Sequence, residues 1–88
     1  MAKLIFNGQE YLFEDYATIG RSSKCTIKIS DMKLSRIHCE IIRDDEDFIL
    51  IDLQSQNGVQ LNGEFISEAL LADNDQILLG LSEVVFLR

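Results

Sequence analysis

Apolar and polar residues alternate in short runs along this chain, and turn-forming residues interrupt them about every 8–12 positions. The runs with the two-residue period of an extended chain are Lys3–Phe6, Tyr11–Phe13, Ala17–Ile19, Thr26–Ile29, Ile37–Arg43, Phe48–Asp52, Val59–Leu61, Gln76–Leu79 and Glu83–Leu87. Within Ile37–Arg43 the alternation puts Ile37, Cys39 and Ile41 on one face. Between the runs lie Asn7-Gly8, Ser22-Ser23-Lys24, Ser30-Asp31, Asp44–Asp47, Asn57-Gly58, Asn62-Gly63 and Asp73-Asn74-Asp75. Asn-Gly favours the positive φ of tight hairpins, so its recurrence predicts hairpins, most clearly at Asn62-Gly63 between Val59–Leu61 and Glu64–Ile66. Phe65–Ala72 has a helical look but is short and hemmed in by turns; it reads as a loop with anchoring apolar side chains. Many short strands at regular spacing predict an all-β, antiparallel β-sandwich. Loops gathered at one end of such a fold are where binding sites form.

Length and composition narrow the picture. At 88 residues the chain predicts one domain spanning 1–88, with a modest core drawn from 47% hydrophobic residues. No apolar run approaches the ~18 residues needed to span a bilayer. The start, MAKLIFNGQEY, lacks the pattern of an export signal, which gives a cytoplasmic expectation. Cys25 and Cys39 are too few for a disulfide framework. With a single His they cannot supply four zinc ligands, so neither a metal nor a cofactor is expected. They read as two small buried hydrophobes.

Net charge is −7, which argues against nucleic acid or anionic lipid as a partner. Its distribution adds a detail. Residues 21–36 hold Arg21, Lys24, Lys28, Lys33 and Arg36 against Asp31 alone. A local positive patch on an acidic body suits a small or spatially restricted anion; the plain alternative is a solvated face that happens to be basic.

The chemistry-bearing residues cluster at the same places. Ser35 and His38 suggest a nucleophile and base, but residues three apart on a straight strand point to opposite faces, and no Gly-rich oxyanion loop precedes the serine. Catalysis is therefore not expected. An anion site uses more of what is present. Gly20 permits a sharp turn where Arg21 leaves the sheet, and Arg presents a rigid fork of donors matched to phosphate oxygens. Ser35 offers a hydroxyl and an N–H, Arg36 a second cation, and Asn57 both an amide donor and an acceptor for gripping an extended peptide. Loops 20–24, 30–36 and 54–58 would converge.

The elements T-I-G-R (18–21), S-R-I-H (35–38), D-L-Q-S-Q-N-G (52–58) and L-N-G (61–63), in this order and spacing, resemble the forkhead-associated (FHA) domain family. The later Leu71, Asp75-Gln76-Ile77, Gly80 and Phe86 follow that family's tail, so the resemblance covers roughly residues 3–87. It implies a sandwich of about eleven strands that binds phosphothreonine peptides through loops at one end. It further implies that Arg21 and Ser35 contact phosphate, that Arg36 adds a donor beside them, and that Asn57 fixes the peptide backbone. Gly20, His38, Gly58 and Asn62 match positions that shape loops. Gln56 stands where family members often carry a Thr that also reaches phosphate, and Asn74 stands where Gly is usual. Lys33, on the basic segment, is expected to meet the peptide three residues after the phosphothreonine and to favour Asp or Glu there; Met32 or Leu34 in its place would favour an aliphatic residue. The competing expectation is an interaction module of the same fold that does not require phosphate.

Overall fold

The computed structural model describes residues 1–88 as eleven strands and no helix. They are β1 Ala2–Phe6, β2 Gln9–Phe13, β3 Tyr16–Gly20, β4 Ile27–Lys28, β5 Cys39–Asp44, β6 Asp47–Asp52, β7 Val59–Leu61, β8 Glu64–Ile66, β9 Glu68–Leu70, β10 Asp75–Leu79 and β11 Ser82–Leu87. Two sheets form, in the orders β2-β1-β11-β10-β7-β8 and β4-β3-β5-β6-β9. Every pairing is antiparallel except β3 with β4, which run parallel. The sandwich is thus mixed at one edge, where the alternation had predicted antiparallel pairing throughout. The β3–β4 pair is short, and Thr18 Oγ1 reinforces it by accepting the Thr26 N–H at 2.9 Å.

Alternating inward side chains of both sheets meet in one core of 18 buried residues. Phe13, Phe48 and Phe86 fill the end near the β5–β6 hairpin, with ring centroids 5.4–6.4 Å apart. Their tilted and edge-on contacts are the arrangements aromatic rings prefer.

Three expectations need correction. Residues 65–72 are not a loop: β8 and β9 lie there, separated by Ser67 alone, and this step carries the chain from one sheet to the other. Asn57-Gly58 is not a hairpin turn, because β6 and β7 belong to different sheets. Asn7-Gly8 and Asn62-Gly63 do close hairpins, with positive φ at both residues of each pair. Finally, β5 starts at Cys39 rather than Ile37. The irregular backbone before it turns Ile37 out to 45% exposure and His38 fully inward. No helix is long and apolar enough to cross a membrane.

Candidate functional site

β3 ends at Gly20, β5 begins at Cys39, β6 ends at Asp52 and β7 begins at Val59, so the loops 21–26, 29–38 and 53–58 meet at one end of the sandwich. Gly20 makes the first approach possible. A Cβ on it would lie 2.2 Å from the Arg36 carbonyl oxygen, a backbone atom that has little room to retreat. That closeness lets the two loops pair like strands: the Arg21 N–H donates to Ser35 O at 3.1 Å and the Ser22 N–H to Arg36 O at 3.0 Å. Arg21 Nε adds a bond to Leu34 O at 3.1 Å, which fixes the side chain while its terminal nitrogens stay exposed.

His38 explains the shape of the next loop. Its Nδ1 accepts the Ser35 N–H at 3.0 Å, so Nε2 carries the proton and donates to Gly58 O at 2.8 Å. One buried ring thereby ties the 29–38 loop to the 53–58 loop. The contact between Ser35 and His38 runs through backbone N–H, not hydroxyl, which is the opposite of a nucleophile–base pair. Ser35 Oγ instead accepts the Gln56 N–H at 2.9 Å, leaving its own proton to donate. Asn57 Nδ2 donates to Lys33 O at 2.7 Å, leaving Oδ1 as an acceptor. Gly58 has φ +81°, in the left-handed region, and its N–H donates to Ser55 Oγ at 3.0 Å. Ser55 N–H in turn donates to Asp52 Oδ1 at 2.9 Å.

The structure therefore brings together Gly20, Arg21, Lys33, Ser35, Arg36, His38, Gln56, Asn57 and Gly58. It does not bring Asn62 to them. That residue sits beyond the other end of β7, where Nδ2 donates to Asp75 Oδ1 and Oδ1 accepts the Gln76 N–H. The ion pairs of the structure are Lys3–Glu10 and Arg43–Asp15. Arg21, Lys24, Lys28, Lys33 and Arg36 are consequently all unpaired, and a shallow cleft runs between Arg21, Ser22, Ser23, Lys24, Arg36 and Ile37.

Asp31 is the residue that sequence reasoning passed over. Its buried carboxylate accepts the Lys33 N–H at 2.8 Å through Oδ1, and through Oδ2 the Leu81 N–H at 2.8 Å and the Ser82 hydroxyl at 2.7 Å. Burial alone would raise its pKa, but the bonds from Ser82, Lys33 and Leu81 outweigh that and hold it below the usual 3.8. Asp31 thus anchors the site loop to the β10–β11 turn. Its only sequence signal was being the lone acid in a basic segment. Cys39 is fully buried, and burial pushes its thiol upward, which keeps it protonated as an inert hydrophobe.

The FHA domain model matches residues 17–80. Among curated proteins, the FHA domain-containing protein FhaA of Mycobacterium tuberculosis is 39% identical over 80 residues, covering 90% of this chain and 15% of that protein. The glycogen accumulation regulator GarA of M. tuberculosis is 32% identical over 81 residues, covering 91% of this chain and 50% of that protein. This chain therefore corresponds to half of GarA and a small part of FhaA. A solved structure from a study of phosphothreonine-dependent FHA domain interactions superposes with a TM-score of 0.93 at 35% identity, covering 99% of this chain and 95% of the other.

Proposed function

The chain belongs to the FHA-domain family, and from that premise we propose that it is a phosphothreonine reader: a non-catalytic module that docks a phosphorylated threonine of a partner protein, made by a Ser/Thr kinase, on its 21–38 and 53–58 loops. The observation that carries the reading is the set of unused donors at that end. The Arg21 and Arg36 guanidinium groups have no carboxylate partner, and the Ser35 hydroxyl proton is free because Oγ accepts from Gln56. A phosphate dianion needs donors and positive charge together, and charge-assisted bonds of this kind are the strong ones. Ser35 and Arg21 are held by backbone bonds before any ligand arrives, so little ordering is needed on binding.

Asn57 would hold the peptide backbone through Oδ1, and the Gln56 side chain would reach the phosphate in place of threonine. The role of His38 is positional, since both ring nitrogens are taken by Ser35 and Gly58. Free thiols at Cys25 and Cys39 fit a cytoplasmic location.

The test is a calorimetric titration of one threonine peptide with and without its phosphate. Binding of the phosphorylated form alone is expected, with affinity falling between about pH 7 and 5 as the phosphate takes up its second proton near pKa ~6. Equal binding of both forms, independent of pH, would favour a phosphate-independent interaction module.

A further inference from the structure

The loops account for one end of the sandwich; the outer face of the β4-β3-β5-β6-β9 sheet has no covering. Strand register lines up Tyr16, Ile42, Ile49 and Leu70 in one row that crosses β3, β5, β6 and β9. The alternation of burial turns all four outward: Ala17, Ile41 and Leu50 beside them are buried, whereas Tyr16 is 50% and Leu70 64% exposed. The rows on either side each carry two carboxylates. Toward the β5–β6 hairpin, Asp44 pairs with Asp47. On the other side the row runs Thr18, Glu40, Ile51, Glu68, and the Tyr16 hydroxyl donates to Glu40 Oε2 at 2.9 Å. The opposite sheet has nothing comparable, since its outer rows mix polar and apolar positions, as in Glu10–Ile5–Val85–Gln76.

We propose that this face docks an amphipathic helix of a partner protein whose apolar stripe is flanked by Lys and Arg. The dimensions agree. Four strands at the usual spacing of about 4.8 Å make a row roughly 14 Å long. A helix places one stripe residue about every 5.4 Å, so three turns laid along the row seat their side chains between strands. Flanking cations then sit over the carboxylate rows, which lie about 7 Å to either side along the strands. Charge selects against a second copy of this chain, because a two-fold contact through the same face would bring its four carboxylates against four more. Residues 1–88 form eleven strands and no helix, so the helix lies outside them.

The test is nitrogen-15 NMR of the whole chain titrated with an 18-residue helical peptide carrying a Leu stripe flanked by Lys. Two control peptides have the same composition scrambled, or Glu in place of Lys. Shift changes confined to outward residues of β3, β5, β6 and β9, seen with the first peptide alone, are expected. The double variant Glu68→Lys, Leu70→Asp changes only exposed side chains of an edge strand. It should weaken peptide binding at least tenfold while phosphothreonine-peptide affinity holds. Equal binding of the scrambled peptide, shift changes centred on the 21–38 loops, or self-association through this face that the double variant abolishes would each overturn the proposal.

Discussion

The two ends of the sandwich are closed by different physics. At the β5–β6 end, Phe13, Phe48 and Phe86 plug the core, and Asp45-Glu46 closes a tight turn above them. Little polar organisation is needed there, because short hairpins satisfy their own backbone. At the other end, ten residues separate β4 from β5 and six separate β6 from β7. Segments of that length leave backbone groups without ladder partners, and buried groups of that kind must be satisfied by side chains. His38, Asp31, Ser35, Ser55 and Asn57 do so, and no buried side-chain polar atom is left without a partner. An apolar plug gives stability and no recognition. A polar weave gives stability and, at its surface, donors that face outward in fixed positions.

The largest effects should separate the two ends by cutting one anchor in each. His38→Ala removes a buried ring and leaves the Ser35 N–H and Gly58 carbonyl without partners, at about 2–4 kcal/mol. Phe48→Ala opens the aromatic plug at about 3–5 kcal/mol. Urea unfolding should show both losses. Only His38→Ala should also weaken phosphopeptide binding in conditions where both variants remain folded; equal affinity in the two variants would erase the distinction.

Next in size is Arg21→Ala. Loss of one charge-assisted contact of ~1.5–3 kcal/mol predicts at least about tenfold weaker phosphopeptide binding. Arg43→Ala at the other end, which breaks an exposed pair with Asp15, should leave affinity alone. A folded Arg21→Ala protein with normal affinity would remove the site from these loops.

Much of this was legible in the chain, for identifiable reasons. Ala17–Ile19, Phe48–Asp52 and Glu83–Leu87 alternate cleanly because one face of each is core, and the structure forms strands there. Phe65–Ala72 misled because β8 and β9 are three residues each, half-exposed, and hold Glu, Ala and Leu, which favour helices. Strand pairing at that position comes from register with β7 and β6, which a local window does not contain. Arg21 and Asn57 stood out because a donor-bearing residue beside Gly20 or Gly58 announces a turn, and Ser35 because it stands in S-R-I-H; the structure sets all three on adjoining loops. Asp31 was not, because its partner Ser82 lies 51 residues along the chain. Ile37 and His38 exchanged faces for a similar reason: the imidazole's partners, not strand alternation, decide which side turns inward.

Asp31 gives a smaller, pH-resolved effect at the woven end. Its folded pKa lies below the usual 3.8, so its contribution is present above that pH and is lost as pH falls through the folded value. Asp31→Asn should therefore lower stability near neutral pH and flatten the stability profile below about pH 4. A variant that unfolds in acid along the wild-type curve would mean that another carboxylate sets the acid limit.

The smallest effect concerns which peptide the woven end selects. Met32 is 94% and Leu81 79% exposed, and with Lys33 they line a cleft beside the Asp31 anchor. Leu34, by contrast, is 2% exposed and unable to reach a peptide. A peptide held by Asn57 would pass the Lys33 backbone, because Asn57 Nδ2 is bonded to Lys33 O. The third residue after the phosphothreonine would then fall between an unpaired ammonium and two exposed apolar side chains. An exposed ion pair contributes ~0.2–1 kcal/mol, or roughly 1.4- to 5-fold in affinity. The −11 carried outside residues 21–36 repels acidic peptides everywhere else, which sharpens the preference for acid at this one place. The expected profile on a phosphothreonine peptide array is Asp or Glu at that position, weakened by salt and lost in Lys33→Glu. Selection of Ile or Leu there, untouched by Lys33→Glu and abolished by Met32→Ala with Leu81→Ala, would assign the choice to the apolar pair instead.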